Sequence, residues 1–374
     1  MLRTLTFPSS HSLFFHFFRH FPHSLPPLPL SLISITVSDQ NLRRKLTPTT
    51  LRCISSHSPS DILSEHPPFI RIYKDGHIER LSNTETIPAS LTPQNDVITK
   101  DIIYSPDLNL SVRLFLPHKS ITTSNTNNNK LPLLIYIHGG AWLIGSPFSP
   151  IYHNFLTKVT KSSNCLTVSL QYRLAPENPV PAAYEDSWSA IQWIYTHEED
   201  WINEYADFKK VFLAGDSAGG NMCHHMAVKA GEEKLEPRFK GVVIVHPAFW
   251  GKDPIDEEDL QDLEESDRIG EVWEKLVSPT SVDGVDDPLF NVVGSGSGSG
   301  FGVLGCEKVL VAVAGKDVFV RQGLGYAAKL EKSGWGGEVE VMVEEDEGHC
   351  FHLLNPDSEN APKFMKRFVE FITG

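Results

Sequence analysis

The sequence predicts an α/β fold: a mostly parallel sheet covered by helices on both faces. Three observations point to it. Short, fully apolar, β-branched runs recur from about residue 131 onward, segments of helical periodicity stand between them, and several runs end in glycine-containing loops. Continuous apolar runs are buried on both faces, unlike the alternating strands of a half-wetted sheet, and strand–helix alternation makes the pairing parallel. At 374 residues the chain has room for one large domain of this kind.

The first 60 residues stand apart from that pattern. They carry six basic side chains (Arg3, Arg19, Arg43, Arg44, Lys45, Arg52) against one acidic, Asp39, and are rich in Ser and Thr. Basic, hydroxylated and acid-poor is the composition of an organelle transit peptide. A secretory signal needs a cleaner apolar run than "FFHFFRHF" and the prolines after it. The alternative is a disordered tail. The opening "MLR" and the later "RRK…LRCIS" favour a mitochondrial address over a plastid one; without a functional address the protein is cytosolic.

Residues 61–374 carry the texture of a folded domain. "FIRIYKDGHIERL" reads as a hairpin turning at Asp75-Gly76, and "VITKDIIYSPDLNLSVRLFLP" repeats the pattern with a turn at 105–109. The polar tract 118–130 reads as a surface loop. "LPLLIYIHGG" and "CLTVSLQYRL" follow as strands. "AAYEDSWSAIQWIYTH" is helical, with Ala183, Trp188, Ile191 and Ile194 within reach of one face. "KKVFLAG" is a strand and "AGGNMCHHMAVKA" the helix after it. "KGVVIVHPAF", "KVLVAVAG" and "VEVMVEE" are further strands, and "RQGLGYAAKLEKSG" and "APKFMKRFVEFITG" helices. The acidic stretch 253–268 reads as helix and part of a lid, and "GSGSGSG" (294–300) as a loop too short to link domains.

Composition narrows the function. A formal net charge of −14 argues against nucleic acid or an anionic membrane as the main partner. Five cysteines (53, 165, 223, 306, 350) lack metal-site spacing and read as reduced thiols. No run of about 18 apolar residues is present to span a membrane. Phosphate-loop, dinucleotide and H-E-x-x-H patterns are absent, so no metal or organic cofactor is expected.

The chemistry concentrates around Ser217. Gly215-Asp216-Ser217-Ala218-Gly219 matches G-x-S-x-G, with a strand before it and a helix after it. By itself the motif leaves three uses for the serine: filling a tight turn, binding an anion at a helix start, or attacking a carbonyl carbon. A nucleophile needs donors for the oxyanion it creates. Gly139 and Gly140, after the strand that ends at His138, offer backbone N–H groups from one side, and Ala218 offers one from the other. His138 itself reads as a loop-pinning residue. A base and an orienting acid must follow, in the chain order Ser, acid, His. Asp317 in "VLVAVAGKDVFV" and His349 in "VMVEEDEGHCFHLL" both fall where late strands end. Their rivals are Asp287, Glu344, Glu345 and Asp346 among the acids. Among the bases they are His246, His224, His225 and above all His352.

With these motifs in order, "HGGAW", "YRLAPENPVPAAYEDSWSAIQW", "GDSAGGN", "DPLFN" and "GHCFHL" resemble the plant carboxylesterases of the hormone-sensitive-lipase-like α/β-hydrolase family. The resemblance runs from "PPFIRIYKDGHIERL" to the C-terminus. It implies an α/β-hydrolase fold with an eight-stranded, mostly parallel sheet and a small helical cap near 62–70 and 248–285. It carries the catalytic roles onto Ser217, Asp317 and His349, and the oxyanion hole onto Gly139, Gly140 and Ala218. The implied function is hydrolysis of small to medium carboxylic esters, with a small-molecule ester as partner, by a monomer or homodimer. The same family includes a receptor lacking the histidine and a dehydratase with threonine for the serine. Here Ser217 and His349 are both present, which favours hydrolysis over a small-molecule receptor or a lyase.

Overall fold

The apolar runs pair into a single eight-stranded sheet whose central strands bury both faces, while the edge strands Val97–Ser105 and Glu338–Glu344 stay partly exposed. The computed structural model describes residues 58–122, 130–256, 263–294 and 300–374. Nearly all of the basic N-terminal segment, the centre of the tract 118–130, part of the acidic stretch and most of the glycine-serine run lie outside the described residues.

The described residues divide into two units, one up to residue 65 with 71–79, the other 66–70 with 80–374. Strands β1 (Ile62–His66), β2 (Ile70–Tyr73) and β3 (Ile78–Arg80) form a small sheet in that order. The Asp75-Gly76 turn joins β2 to β3 as the sequence suggests. Gly76 adopts φ +85°, and the Tyr73 N–H donates to the His77 carbonyl at 2.9 Å. Residues 62–70 thus contribute strand rather than helix.

The large sheet contains β4 (Val97–Ser105), β5 (Leu110–Pro117), β6 (Leu131–Ile137), β7 (Leu166–Leu170), β8 (Ala206–Asp216), β9 (Gly241–Val245), β10 (Lys308–Ala314) and β11 (Glu338–Glu344). Their order across the sheet is β11-β10-β9-β8-β6-β7-β5-β4. Only β5 runs against the rest, paired antiparallel to β4 and β7, while the strands from β7 to β11 pair parallel. This is the mostly parallel α/β architecture that the apolar runs predict.

Helices cover both faces. On one lie α1 (Pro150–Ser163) and the C-terminal helix Ala361–Thr373. Their buried side chains join one core with Leu134, Tyr136, Phe212, Ala214, Val243, Val245, Leu310 and Ala312. The C-terminal helix buries Phe364, Phe368, Phe371 and Ile372 along one stripe, each side chain stabilising the fold by roughly 1.5–3 kcal/mol. On the other face lie α2 (Ala182–Ile194), α4 (Ala218–Glu232) and Val320–Lys332, with α3 (Asp200–Tyr205) leading into β8. The sequence reading has no element at α1, although its signals are present. Pro150 opens it, Tyr152, Phe155, Leu156 and Val159 line one side, and Asn164 ends it at φ 52°.

Register brings the functional loops together. Gly215 of β8 sits opposite Ile137 of β6 and Ile244 of β9, and Ala312 of β10 sits opposite Val245. The chain leaving β6, β8, β10 and β11 therefore emerges along one edge, at the carboxyl ends of the strands, where open α/β sheets place their sites. Among the described residues no helix is long and apolar enough to cross a membrane.

Candidate active site

Ser217 sits in a backbone conformation that a serine rarely adopts, φ 52° and ψ −118°. The turn is held by the Ser217 N–H donating to the Val245 carbonyl at 2.9 Å. The Ser217 carbonyl accepts from Asn221 and Ala248 at 3.0 and 3.1 Å. Gly219 lets the start of α4 press on the end of β6; a Cβ there would lie 2.0 Å from the Ile137 carbonyl oxygen. Asn221 fastens the helix to two loops. Its Nδ2 donates to the carbonyls of Ala248 and Leu289 at 3.0 and 2.9 Å, and its Oδ1 accepts from the Tyr184 hydroxyl.

The structure brings Ser217, His349 and Asp317 into one hydrogen-bonded line. His349 Nε2 lies 2.9 Å from Ser217 Oγ, and His349 Nδ1 lies 2.7 Å from Asp317 Oδ2. Asp317 is fixed in turn by the Phe319 N–H on Oδ1 at 3.1 Å. The Lys316 N–H reaches the Glu347 carbonyl at 2.9 Å and ties the acid loop to the histidine loop. Burial alone would raise the Asp317 carboxyl, but the charge and hydrogen bond of His349 outweigh it and hold the group below the usual carboxylate range. Burial works against a charged His349 ring. The charge and hydrogen bond of Asp317, then the charge of Asp216, outweigh it and hold the ring above its ordinary value.

The rival residues are engaged elsewhere. His352 is buried against Phe155 and Phe364, both its ring nitrogens lack partners among the described residues, and burial pushes it down to about 3. Such a ring stays neutral and does not reach Ser217. His225 Nε2 donates to the Leu289 carbonyl at 3.1 Å, and His224 lies against Tyr326. Asp287 caps its own turn, accepting from the Leu289 N–H and the Ser278 hydroxyl. Glu345 and Asp346 are exposed.

The loop after β6 is set from several sides. His138 stacks on Tyr172 at 4.2 Å between ring centroids, and its Nδ1 donates to the Gly139 carbonyl at 2.7 Å. Burial pushes this ring down to about 4, so it remains neutral. Ala141 and Trp142 both carry positive φ, 54° and 59°. The Trp142 ring meets Trp273 edge-on at 5.3 Å, and Trp273 stacks on Phe290 at 4.3 Å. Arg80 Nε donates to the Leu143 carbonyl at 2.9 Å. Of the three amides singled out in the sequence, Gly140 and Ala218 have no acceptor among the described residues. The Gly139 N–H is directed elsewhere, to Asp216 Oδ1 at 3.2 Å.

Two residues of this site hold roles that the sequence does not assign them: His246, which the sequence offers as a rival base, and Asp216. His246 Nδ1 accepts the Cys350 N–H at 2.7 Å and so holds the backbone next to His349. Its only sequence signal is its place at the end of β9. Asp216 is the other, visible only as the unspecified position of G-x-S-x-G.

A family model described as alpha/beta hydrolase fold matches residues 134–353. The chain belongs to the α/β-hydrolase family, in its plant carboxylesterase branch. It is 70% identical to probable carboxylesterase 4, mitochondrial, of Arabidopsis thaliana across 100% of both chains. It is 68% identical to probable carboxylesterase 5 of the same plant over 84% of this chain and 99% of that one. A 2-hydroxyisoflavanone dehydratase of Glycyrrhiza echinata is 38% identical over 85% of this chain and 98% of its own. Among solved structures, a Rhizomucor miehei esterase superposes with a TM-score of 0.61 at 21% identity, covering 76% of this chain and 84% of that one. At that identity the likeness concerns the fold.

The electrostatics can be read directly by NMR titration of the histidine rings. His349 is expected to titrate above the ordinary imidazole value of about 6.5. His352 should stay neutral down to about 3. Asp317→Asn should lower the His349 value, because burial then acts against a weaker opposing charge. A His349 that titrates below 6.5 in the parent protein contradicts this electrostatic picture.

Proposed function

We propose that this protein is a serine carboxylesterase, acting on small to medium carboxylic esters through an acyl-enzyme on Ser217. The observation that carries the reading is the unbroken line from Ser217 Oγ through His349 to Asp317, at 2.9 and 2.7 Å. The names of the plant relatives at 68% and 70% identity support it.

In this mechanism Ser217 Oγ attacks the ester carbonyl carbon while His349 Nε2 takes its proton. Asp317 keeps the other ring proton on Nδ1 and stabilises the imidazolium that forms. The carbonyl oxygen becomes an oxyanion, received by the amides of Gly140 and Ala218. Each such donor is worth about 10²–10³-fold in rate. His349 then gives its proton to the leaving alcohol, and the acyl group stays on Ser217. Water repeats the attack with the same base, releasing the acid and restoring the serine. The steps call on proton transfer and fixed donors alone. The segment 248–285, which rests Trp273 against Trp142, shapes the acyl and alcohol pockets in this reading.

Residues 1–60 act as a mitochondrial transit peptide in the same proposal. Their basic, acid-poor composition supports it. So does the relative named mitochondrial, which aligns over the whole chain, whereas probable carboxylesterase 5 aligns over 84% of it.

Purified protein is expected to turn over p-nitrophenyl acetate and butyrate. Ser217→Ala should lower kcat by about 10⁴-fold or more; undiminished turnover by that variant refutes the serine mechanism. Fusing residues 1–60 to a fluorescent protein tests the address. Mitochondrial fluorescence is expected, and a cytosolic signal refutes the transit-peptide reading.

A further inference from the structure

Asp216 stands one residue before the nucleophile, buried to 1% exposure, and four different segments bring hydrogen-bond donors to it. Oδ1 accepts from the Tyr136 hydroxyl of β6 at 2.8 Å and from the Gly139 N–H at 3.2 Å. Oδ2 accepts from the Tyr152 hydroxyl of α1 at 3.1 Å and from the Cys350 thiol at 3.7 Å. The donors keep their protons, because burial, followed by the charge of Asp216, holds both tyrosines and the thiol well above their ordinary values. Four donors converge on the two oxygens, an arrangement that an ionised carboxylate, which only accepts, satisfies in full. Burial holds the Asp216 carboxyl above its ordinary value; the two hydroxyls, the charge of His349 and the Gly139 amide oppose that rise without cancelling it.

The contact with Gly139 is close enough to dictate the residue. A Cβ on Gly139 would lie 2.5 Å from Asp216 Oδ2 and 2.7 Å from the Asp216 carbonyl oxygen. The chain after β6 is thus laid directly on the carboxylate, and the peptide plane of Gly139 is fixed by it. Gly140 follows at φ 108° with its amide free of any acceptor among the described residues. The same carboxylate acts on the other side of the site, since its charge favours the protonated form of His349.

We propose that Asp216 is a positioning residue of the reaction, whose carboxylate docks the Gly139 amide and thereby sets the following amide against the Ser217 turn. Gly139 then serves as the loop's anchor, and Gly140 and Ala218 face the substrate oxygen. Asp216 also supplies a second buried negative charge that stabilises imidazolium on His349, in addition to Asp317. The proposal rests on the esterase reading for its kinetic consequence and on geometry alone for the loop.

The test is Asp216→Asn in the full chain, assayed with p-nitrophenyl butyrate and with Ser217→Ala as the control for the esterase reading. An Asn amide group presents a donor in place of one accepting oxygen, so the two donors that shared that oxygen lose their acceptor. The expected result is a fall in kcat of about 10²-fold or more with KM within about threefold. The acid limb of the kcat profile should move to lower pH, because the lost charge no longer favours protonated His349. A purely architectural residue would lower the folded yield and leave that limb in place. A kcat within about threefold of the parent, or an unmoved acid limb, overturns the proposal. Tyr136→Phe keeps the carboxylate and removes the donor that shares Oδ1 with Gly139. It should lower kcat about five- to tenfold at unchanged KM, and an unchanged kcat overturns the proposal even if Asp216→Asn does not fold. If the parent protein shows no esterase activity, the esterase reading fails on its own. The loop is then read by hydrogen exchange at the Gly139 amide, which must accelerate in Tyr136→Phe; unchanged protection there overturns the docking role.

Discussion

The backbone of Ser217, held at φ 52°, is the constraint on which the rest of the site depends. A non-glycine residue in such a conformation costs on the order of 1–3 kcal/mol and persists only where its surroundings over-determine it. Here three backbone hydrogen bonds do so, to Val245, Ala248 and Asn221. The flanking glycines allow β6, β8 and α4 to meet without side chains between them. The strained turn has a chemical consequence: it lifts Oγ out of the strand–helix corner toward the loops that follow β10 and β11. With a relaxed turn, His349 would have no hydroxyl 2.9 Å away.

Two buried carboxylates then divide the electrostatic work around one imidazole. Asp317 acts by contact, through a 2.7 Å bond that orients the ring and fixes its tautomer. Asp216 acts through the fold, taking donors from β6, α1, the Gly139 loop and Cys350. Burying either charge is costly unless its oxygens are fully engaged, and each is surrounded by donors. Cys350 and His246 join the two halves, since the Cys350 thiol faces Asp216 while its N–H is taken by His246. The site is therefore a network in which the Ser217 turn, the loop after β6 and the His349 loop restrain one another.

Much of the sheet is legible in the sequence because parallel strands buried on both faces leave a local mark, the uninterrupted apolar run. The Ser217 turn is legible for a similar reason, since its glycines are dictated by close backbone approach. Helix α1 left signals at Pro150, Tyr152, Phe155, Leu156 and Val159 that periodicity can find. Other features have no local mark. His349 and His352 stand three residues apart in similar surroundings, and only the packing of Phe155 and Phe364 around His352 separates them. The direction of the Gly139 N–H depends on Asp216, whose own state depends on Tyr136 and Tyr152, 80 and 64 residues away. Such long-range donor sets are written in topology rather than in any short motif.

The central claim is that Ser217 is the nucleophile and that His349 activates it. It is tested most directly by treating the protein with diethyl p-nitrophenyl phosphate and mapping the adduct by peptide mass spectrometry. The account predicts a single diethylphosphoryl group on Ser217, in the tryptic peptide spanning residues 211–229, and a much slower reaction in His349→Ala. An adduct on any other residue, or a protein that hydrolyses esters while Ser217 remains unmodified, would contradict it.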